Sequence, residues 1–103
     1  MIKHNKLVRN RIPEIVDSHE LTKCTTHIAD DKEYELKLFE KLTEEVQEFK
    51  DIPSAEEMAD ILQVLEAIGD FYNIDFAEVQ KKFYKKKEER GGFDKRIVLD
   101  STE

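Results

Sequence analysis

Residues 38–72 read LFEKLTEEVQEFKDIPSAEEMADILQVLEAIGDFY, and two features of that stretch decide the fold. Apolar residues recur at helical spacing on both sides of one interruption. Leu38, Phe39, Leu42, Val46 and Phe49 precede it; Met58, Ile61, Leu62, Leu65, Ile68 and Tyr72 follow it and form the expected inner face. The interruption is Asp51-Ile52-Pro53-Ser54. Pro53 pushes Ile52 out of helical geometry, and Ser54 with Glu57 has the spacing of a capping box that opens a new helix. So tight a connection makes the two helices antiparallel neighbours.

Working outward, Asp30 and Glu33 form another capping-box pair and open the first long helix, roughly residues 31–50. The second runs from about 55 to 72. Asp75 with Glu78 caps a third, from about 76 to 90, with Phe76, Val79 and Phe83 expected to point inward and Gly91-Gly92 to stop it. Upstream, Arg11-Ile12-Pro13-Glu14-Ile15-Val16 reads as a helix start, with Pro13 in the first turn where its missing N–H is harmless. Residues 21–29 are short and β-branched, a loop or an isolated extended segment. The tail Arg96-Ile97-Val98-Leu99 is expected to lie as an extended strand against the body. The fold class is therefore all-α, a single domain over residues 1–103 built on an antiparallel helix hairpin.

Composition agrees. A chain of 103 residues is near the lower limit for a self-sufficient core, and 39% hydrophobic against 40% charged residues leaves much of every helix facing water. The apolar stripe of so small a domain needs a second subunit to cover it, so a homodimer or higher homo-oligomer is expected. Cys24 is alone, which excludes an internal disulfide and fits a reducing, cytoplasmic setting. No apolar run approaches the roughly 20 residues that cross a bilayer, and the first residues lack a signal-peptide core, so no membrane association is expected.

The net charge of −7 argues against nucleic acid as a partner, which needs a basic surface. Its distribution is uneven. Residues 1–13 carry four cations and no acid, residues 30–60 hold twelve acids against four lysines, and residues 81–96 hold eight cations against three acids. An acidic middle between basic ends suits a metal–polyphosphate site; it also describes many solvated helices.

Two acidic patterns narrow this. Glu44-Glu45-x-x-Glu48 lies near the end of one long helix, and Glu57-x-x-Asp60 near the start of the next. Each i, i+3 pair shares a helix face. Glu48 and Glu57 are equidistant from the turn, as are Glu45 and Asp60, so each pair should lie level across the hairpin. At 1.5 Å of rise per residue the two levels are about 4.5 Å apart, a square of four carboxylates. On the helical wheel Glu57 falls between Val64 and Ile68, and Asp60 between Ala67 and Phe71, beside the packing arc rather than on the water face. Clustered anions there repel unless protonated or neutralised. Mg²⁺ resolves the conflict: it prefers hard oxygens and bridges protein carboxylates to phosphates. Mn²⁺ is an alternative occupant. Against this stand the abundance of glutamate, fifteen residues of the chain, and a structural job for Glu57 as the capping partner of Ser54. A cation so placed would polarise phosphoryl oxygens and offset charge on a departing pyrophosphate. Glu44 or Glu45 is then the catalytic carboxylate that orients or deprotonates the attacking water.

This constellation resembles that of the all-α nucleoside triphosphate pyrophosphohydrolases, the MazG-like superfamily, whose signature of Glu-Glu-x-x-Glu followed by Glu-x-x-Asp is met by Glu44, Glu45, Glu48, Glu57 and Asp60. Lys6-Leu7-Val8-Arg9-Asn10-Arg11-Ile12-Pro13 resembles the opening of its phosphoribosyl-ATP pyrophosphohydrolase-like subgroup, with Asn10 and Arg11 standing where Asp and Lys are usual. Arg90-Gly91-Gly92-Phe93 and Arg96-Ile97-Val98-Leu99 resemble the closing segment. The resemblance implies a helical bundle of paired subunits and Mg²⁺-dependent hydrolysis of a nucleoside triphosphate to monophosphate and pyrophosphate. It implies metal ligation by Glu45, Glu48, Glu57 and Asp60. It also implies phosphate binding by cations among Lys6, Arg9, Arg11, Lys86, Arg90 and Arg96, arginine being suited to bidentate phosphate contacts. Likeness at this level does not fix the substrate or the pathway. The rival readings are a non-catalytic nucleotide-sensing or partner-binding bundle of the same fold, and a plain dimerisation module whose acids are surface charge.

Overall fold

A computed structural model of the chain describes residues 2–19 and 23–103. Among these residues there are four helices and no strand: α1 (Ile12–Asp17), α2 (Asp31–Asp51), α3 (Ala55–Phe71) and α4 (Phe76–Arg90). Their starts follow local chemistry. Pro13 occupies the first turn of α1. Asp30 and Ser54 accept hydrogen bonds from the N–H groups of Glu33 and Glu57, satisfying donors that the helix itself cannot. Both caps are one-sided: the Glu33 carboxylate turns to His27 instead, and the Glu57 carboxylate makes no bond back to Ser54. Asp75 caps α4 through the N–H of Ala77 rather than Glu78. Gly91, at φ 83°, ends it in a conformation that side chains disfavour.

Helices α2 and α3 pack as a hairpin. Its antiparallel sense is set by contacts far from the turn. The rings of Tyr34, early in α2, and Phe71, at the end of α3, meet edge to face at 5.6 Å. The Tyr72 hydroxyl donates to Glu35 at 2.7 Å. Tyr34 precedes the turn by as many residues as Phe71 follows it, so the mirrored register holds along the whole hairpin.

Each long helix carries two apolar stripes, and only one is used. The seam between the helices is made by Tyr34, Leu38 and Leu42 from α2 with Ile61, Val64, Ala67, Ile68 and Phe71 from α3, all buried or half-buried. Leu38, at 1% exposure, is the one fully buried apolar side chain among the described residues. The second stripe, Phe39 and Val46 on α2 with Met58, Leu62 and Leu65 on α3, stays open. Met58, Leu62 and Leu65, expected on the inner face of the second helix, thus do not line the seam, while the half-exposed Tyr72 meets α2 at its far end through Glu35 and Phe39.

Two further expectations are corrected. Phe76, Val79 and Phe83 do not point inward: every residue of α4 is exposed, because the left-handed turn at Asn73, φ 57°, sends α4 off the hairpin, where one chain offers no layer to receive it. The tail forms no strand against the body either. Ile97, Val98 and Leu99 are exposed, with no neighbouring strand among the described residues to supply a ladder. Residues 23–29 carry no regular structure, as a loop would, while Leu21 and Thr22 lie outside the described residues. The radius of gyration, 18.2 Å, exceeds the roughly 13 Å of a compact domain this long.

Because the Ser54 cap sets where α3 begins, Ser54→Ala is expected to cost about 1 kcal/mol of folding stability, read as a lower denaturant midpoint with an unchanged slope.

Candidate metal centre at the helix hairpin

The seam that packs Leu38 against α3 also carries three acids. Glu45, Glu57 and Asp60 each present a carboxylate oxygen within 4.8 Å of the others. A second group, Glu44, Glu45 and Glu48, meets the same limit, so Glu45 belongs to both. The expected square is therefore corrected to two triads hinged on Glu45. Glu48 is exposed and joins from the α2 side, whereas Glu57 and Asp60 are half-buried on the seam.

Glu45 is the unusual member. It is 6% exposed, and its Oε2 has no hydrogen-bond partner; the buried Oε2 of Glu57 has none either. Buried acceptors are nearly always paired, because an unmet one forfeits its hydration without return. Burial pushes the Glu45 carboxyl above its ordinary range; the Lys41 ammonium, 3.3 Å from its other oxygen, opposes this, and Glu48 adds to it. Glu44 goes the other way. Its burial is outweighed by Lys6 at 3.1 Å and Lys41 at 3.4 Å, which hold it below the usual range and keep it ionised.

The cations around the cluster come from two places. Lys41 sits one turn before Glu44 and Glu45 on the same helix face. Lys6 and Arg9 come from the irregular N-terminal segment, Arg9 forming an ion pair with Asp60. Leu7, Val8, Arg9 and Asn10 make one wall of a cavity of about 330 Å³, with Tyr34, Lys41 and Glu45 of α2 and Asp60 and Gln63 of α3 opposite. That volume is at the lower end of small-molecule sites.

Of the cations singled out for phosphate, Lys6 and Arg9 are thus at the carboxylates. Arg11 is not: it pairs with Glu14 in solvent. Lys86 and Arg90 are exposed on α4 and line no part of this cavity, and Arg96 borders a separate concavity within the tail, beside Phe93 and Ile97. Lys41 was missed from sequence, although its spacing of three and four residues to Glu44 and Glu45 signals a same-face ion pair. Tyr34, Asn10 and Gln63 as cavity walls carried no sequence signal, since their convergence depends on where the N-terminal segment crosses the hairpin.

The donor set fits a hard divalent cation. It offers carboxylate oxygens alone, from residues of which Glu45 and Glu57 each have a buried, unpartnered oxygen, with a cavity of mixed polar and apolar lining alongside. Comparison with protein-family models, with curated proteins and with solved structures finds no match for this chain.

A carboxyl whose folded pKa is raised withdraws stability as pH climbs from the ordinary carboxylate range through the raised value. In chelator at neutral pH, Glu45→Gln is therefore expected to be more stable than the wild type. The advantage should vanish below the ordinary carboxylate range, where Glu45 is protonated folded and unfolded alike; thermal melts across pH measure it. Glu44, shifted downward, behaves oppositely: its contribution is present above that range and lost as pH falls through the lowered value.

Proposed function

We propose that this chain is a divalent-cation-dependent nucleoside triphosphate pyrophosphohydrolase of the MazG-like kind, releasing pyrophosphate and a nucleoside monophosphate. The observation that carries the reading is the buried Glu45 carboxylate, which has one oxygen without a hydrogen-bond partner and lies clustered with the carboxylates of Glu57 and Asp60. Mg²⁺, or Mn²⁺ in its place, would be held by Glu45, Glu57 and Asp60, with Glu48 joining from the open side. When bound, it supplies Lewis-acid polarisation of the phosphates and offsets charge on the leaving pyrophosphate.

The remaining tasks fall to the chain itself. Glu44, kept ionised by Lys6 and Lys41, is a ready acceptor for a hydrogen of the attacking water and aims it at the α-phosphorus. Glu45, buried and shared between both groups, is assigned to the cation rather than to the water. Lys6 and Arg9, the cations nearest the carboxylates, receive phosphate oxygens. The cavity beside them, walled by Tyr34, Asn10 and Gln63, accommodates the nucleoside end.

The fold would be completed by a second copy. The open stripe of Phe39, Val46, Met58, Leu62 and Leu65, with Phe76, Val79 and Phe83 on α4, is more apolar surface than a small monomer normally leaves in water. Pairing two hairpins across it makes a four-helix layer with the acids kept on each hairpin's own seam. Sedimentation should give at least twice the chain mass, and Leu62→Asp, on the open stripe, should shift it toward monomer.

A panel of nucleoside triphosphates assayed for pyrophosphate with and without Mg²⁺ tests the activity. Alanine at Glu45, Glu57 or Asp60 should lower release by at least about 100-fold, since even outer-sphere partners of metal ligands are worth 10- to 100-fold, while far-ultraviolet circular dichroism stays helical. Turnover undiminished in all three would defeat the reading. Mg²⁺ at 100 times its Kd should also stabilise the wild type by about 2.7 kcal/mol, and Glu45→Ala should lose that gain.

A further inference from the structure

The N-terminal segment is pinned across the hairpin by polar anchors. The Asn5 carbonyl accepts from Lys37 at 2.6 Å, Lys6 pairs with Glu44 at 3.1 Å, and Arg9 pairs with Asp60. Between the anchors the chain has no regular secondary structure, and from Leu7 to Asn10 it forms a wall of the cavity that reaches Glu45. The Asp60 carboxylate is thereby claimed twice, once as a member of the buried ligand group and once as the counter-ion of Arg9. A guanidinium and a divalent cation on the same carboxylate would stand only a few ångströms apart and repel.

Resting on the metal reading above, we infer that Arg9 is an exchangeable counter-ion: a divalent cation entering at Glu45, Glu57 and Asp60 detaches its guanidinium from Asp60, and the freed group becomes a phosphate-binding residue at the cavity wall. The exchange falls to Arg9 rather than Lys41 for two reasons. Lys41 shares a helix with both of its partners, so its spacing is fixed by the backbone, and its side chain is 17% exposed. Arg9 is on irregular chain, its side chain is 54% exposed, and Asp60 is its one ion-pair partner among the described residues. Released, it needs only a side-chain rotation to reach solvent-filled space in the cavity.

The exchange orders binding. Before the cation arrives, Arg9 is neutralised by Asp60 and the cavity presents acids to an anionic ligand; afterwards the acids are neutralised and the guanidinium is free. Arg9 therefore opposes the metal and assists the triphosphate, two effects of opposite sign from one side chain. A residue that merely anchored the segment would not separate them.

The test is Mn²⁺ alone, titrated by electron paramagnetic resonance into wild type, Arg9→Gln and Arg11→Gln. The last removes the same charge two residues away, from a cation paired only with Glu14. Arg9→Gln should bind Mn²⁺ about 5- to 10-fold more tightly, within the usual span of coupling between sites, and Arg11→Gln should match wild type. Equal tightening in both variants, or none in Arg9→Gln, overturns the exchange while leaving the metal site standing. Absence of Mn²⁺ binding in every protein removes the metal reading itself, and this inference with it. A second measurement needs no variant: in the wild-type chain Mn²⁺ should speed trypsin cleavage after Arg9 severalfold relative to chelator, and unchanged or slower cleavage there contradicts detachment.

Discussion

Burial of the Glu45 carboxylate on the α2–α3 seam is the constraint around which the rest of this chain is arranged. Removing an ionised group from water is costly unless paired charges and hydrogen bonds replace its hydration. Lys41 meets one of its oxygens and leaves the other unmet. Glu57 and Asp60, from the facing helix, add like charge a few ångströms away. What local compensation exists is cationic: Lys41 from one turn earlier, Lys6 through Glu44, and Arg9 at Asp60. The path of the N-terminal segment over the hairpin is thus set by electrostatics as much as by Leu7, its one half-buried apolar side chain in that stretch.

The same seam explains why the chain is so poorly closed on itself. A hairpin of two helices has a single internal interface, and here acids occupy part of it. Leu38 is left as the sole fully buried apolar residue among those described, and the remaining hydrophobic side chains go to a second stripe facing outward. Helix α4 follows that logic, with its aromatic and aliphatic residues open and its lysine-rich remainder in solvent. A charged fraction as high as this chain's is compatible with stable helices through caps, i, i+3 and i, i+4 pairs and the hairpin contacts. It is a weak basis for a self-contained core.

Most of the hairpin is legible in the sequence, for physical reasons that can be named. Pro53 and Ser54 act within a turn of themselves, so the break and the restart of the helix depend on no distant contact. Mirrored register follows from a short connection, and Tyr34 meeting Phe71 shows how far it extends. The site was partly legible for the same reason: residues level across a tight hairpin must approach. The square became two triads because the wheel gives direction but not side-chain conformation. Glu48 groups with Glu44 and Glu45 of its own helix rather than with Glu57 and Asp60, and Lys41 pairs with Glu45. The bounds of helix α4 are legible in its sequence, but its environment is not. Periodicity identifies an apolar face, and nothing within one chain's sequence says whether that face meets its own hairpin or another surface. The tail strand failed on similar grounds, since a β-branched run becomes a strand only beside a partner.

The one-sided Ser54 cap separates the structural account of these acids from the functional one. Had Glu57 been selected to complete a capping box, its carboxylate would reach back to the Ser54 N–H; instead only its backbone N–H takes part, and the carboxylate turns to Glu45 and Asp60. A helix start with a serviceable serine cap does not need an acid at that position on the packing face, and Val or Leu there would bury more apolar surface at no electrostatic cost. The same holds at positions 45 and 60. Three departures from good packing meet on two adjacent levels of one hairpin, and sequences usually keep such local conflicts where function demands them. Surface charge offers no account of a glutamate that is 6% exposed with an unmet oxygen. The proposed cation would supply the missing partner, and Arg9, on irregular chain and half exposed, is the compensating cation it would meet first at Asp60.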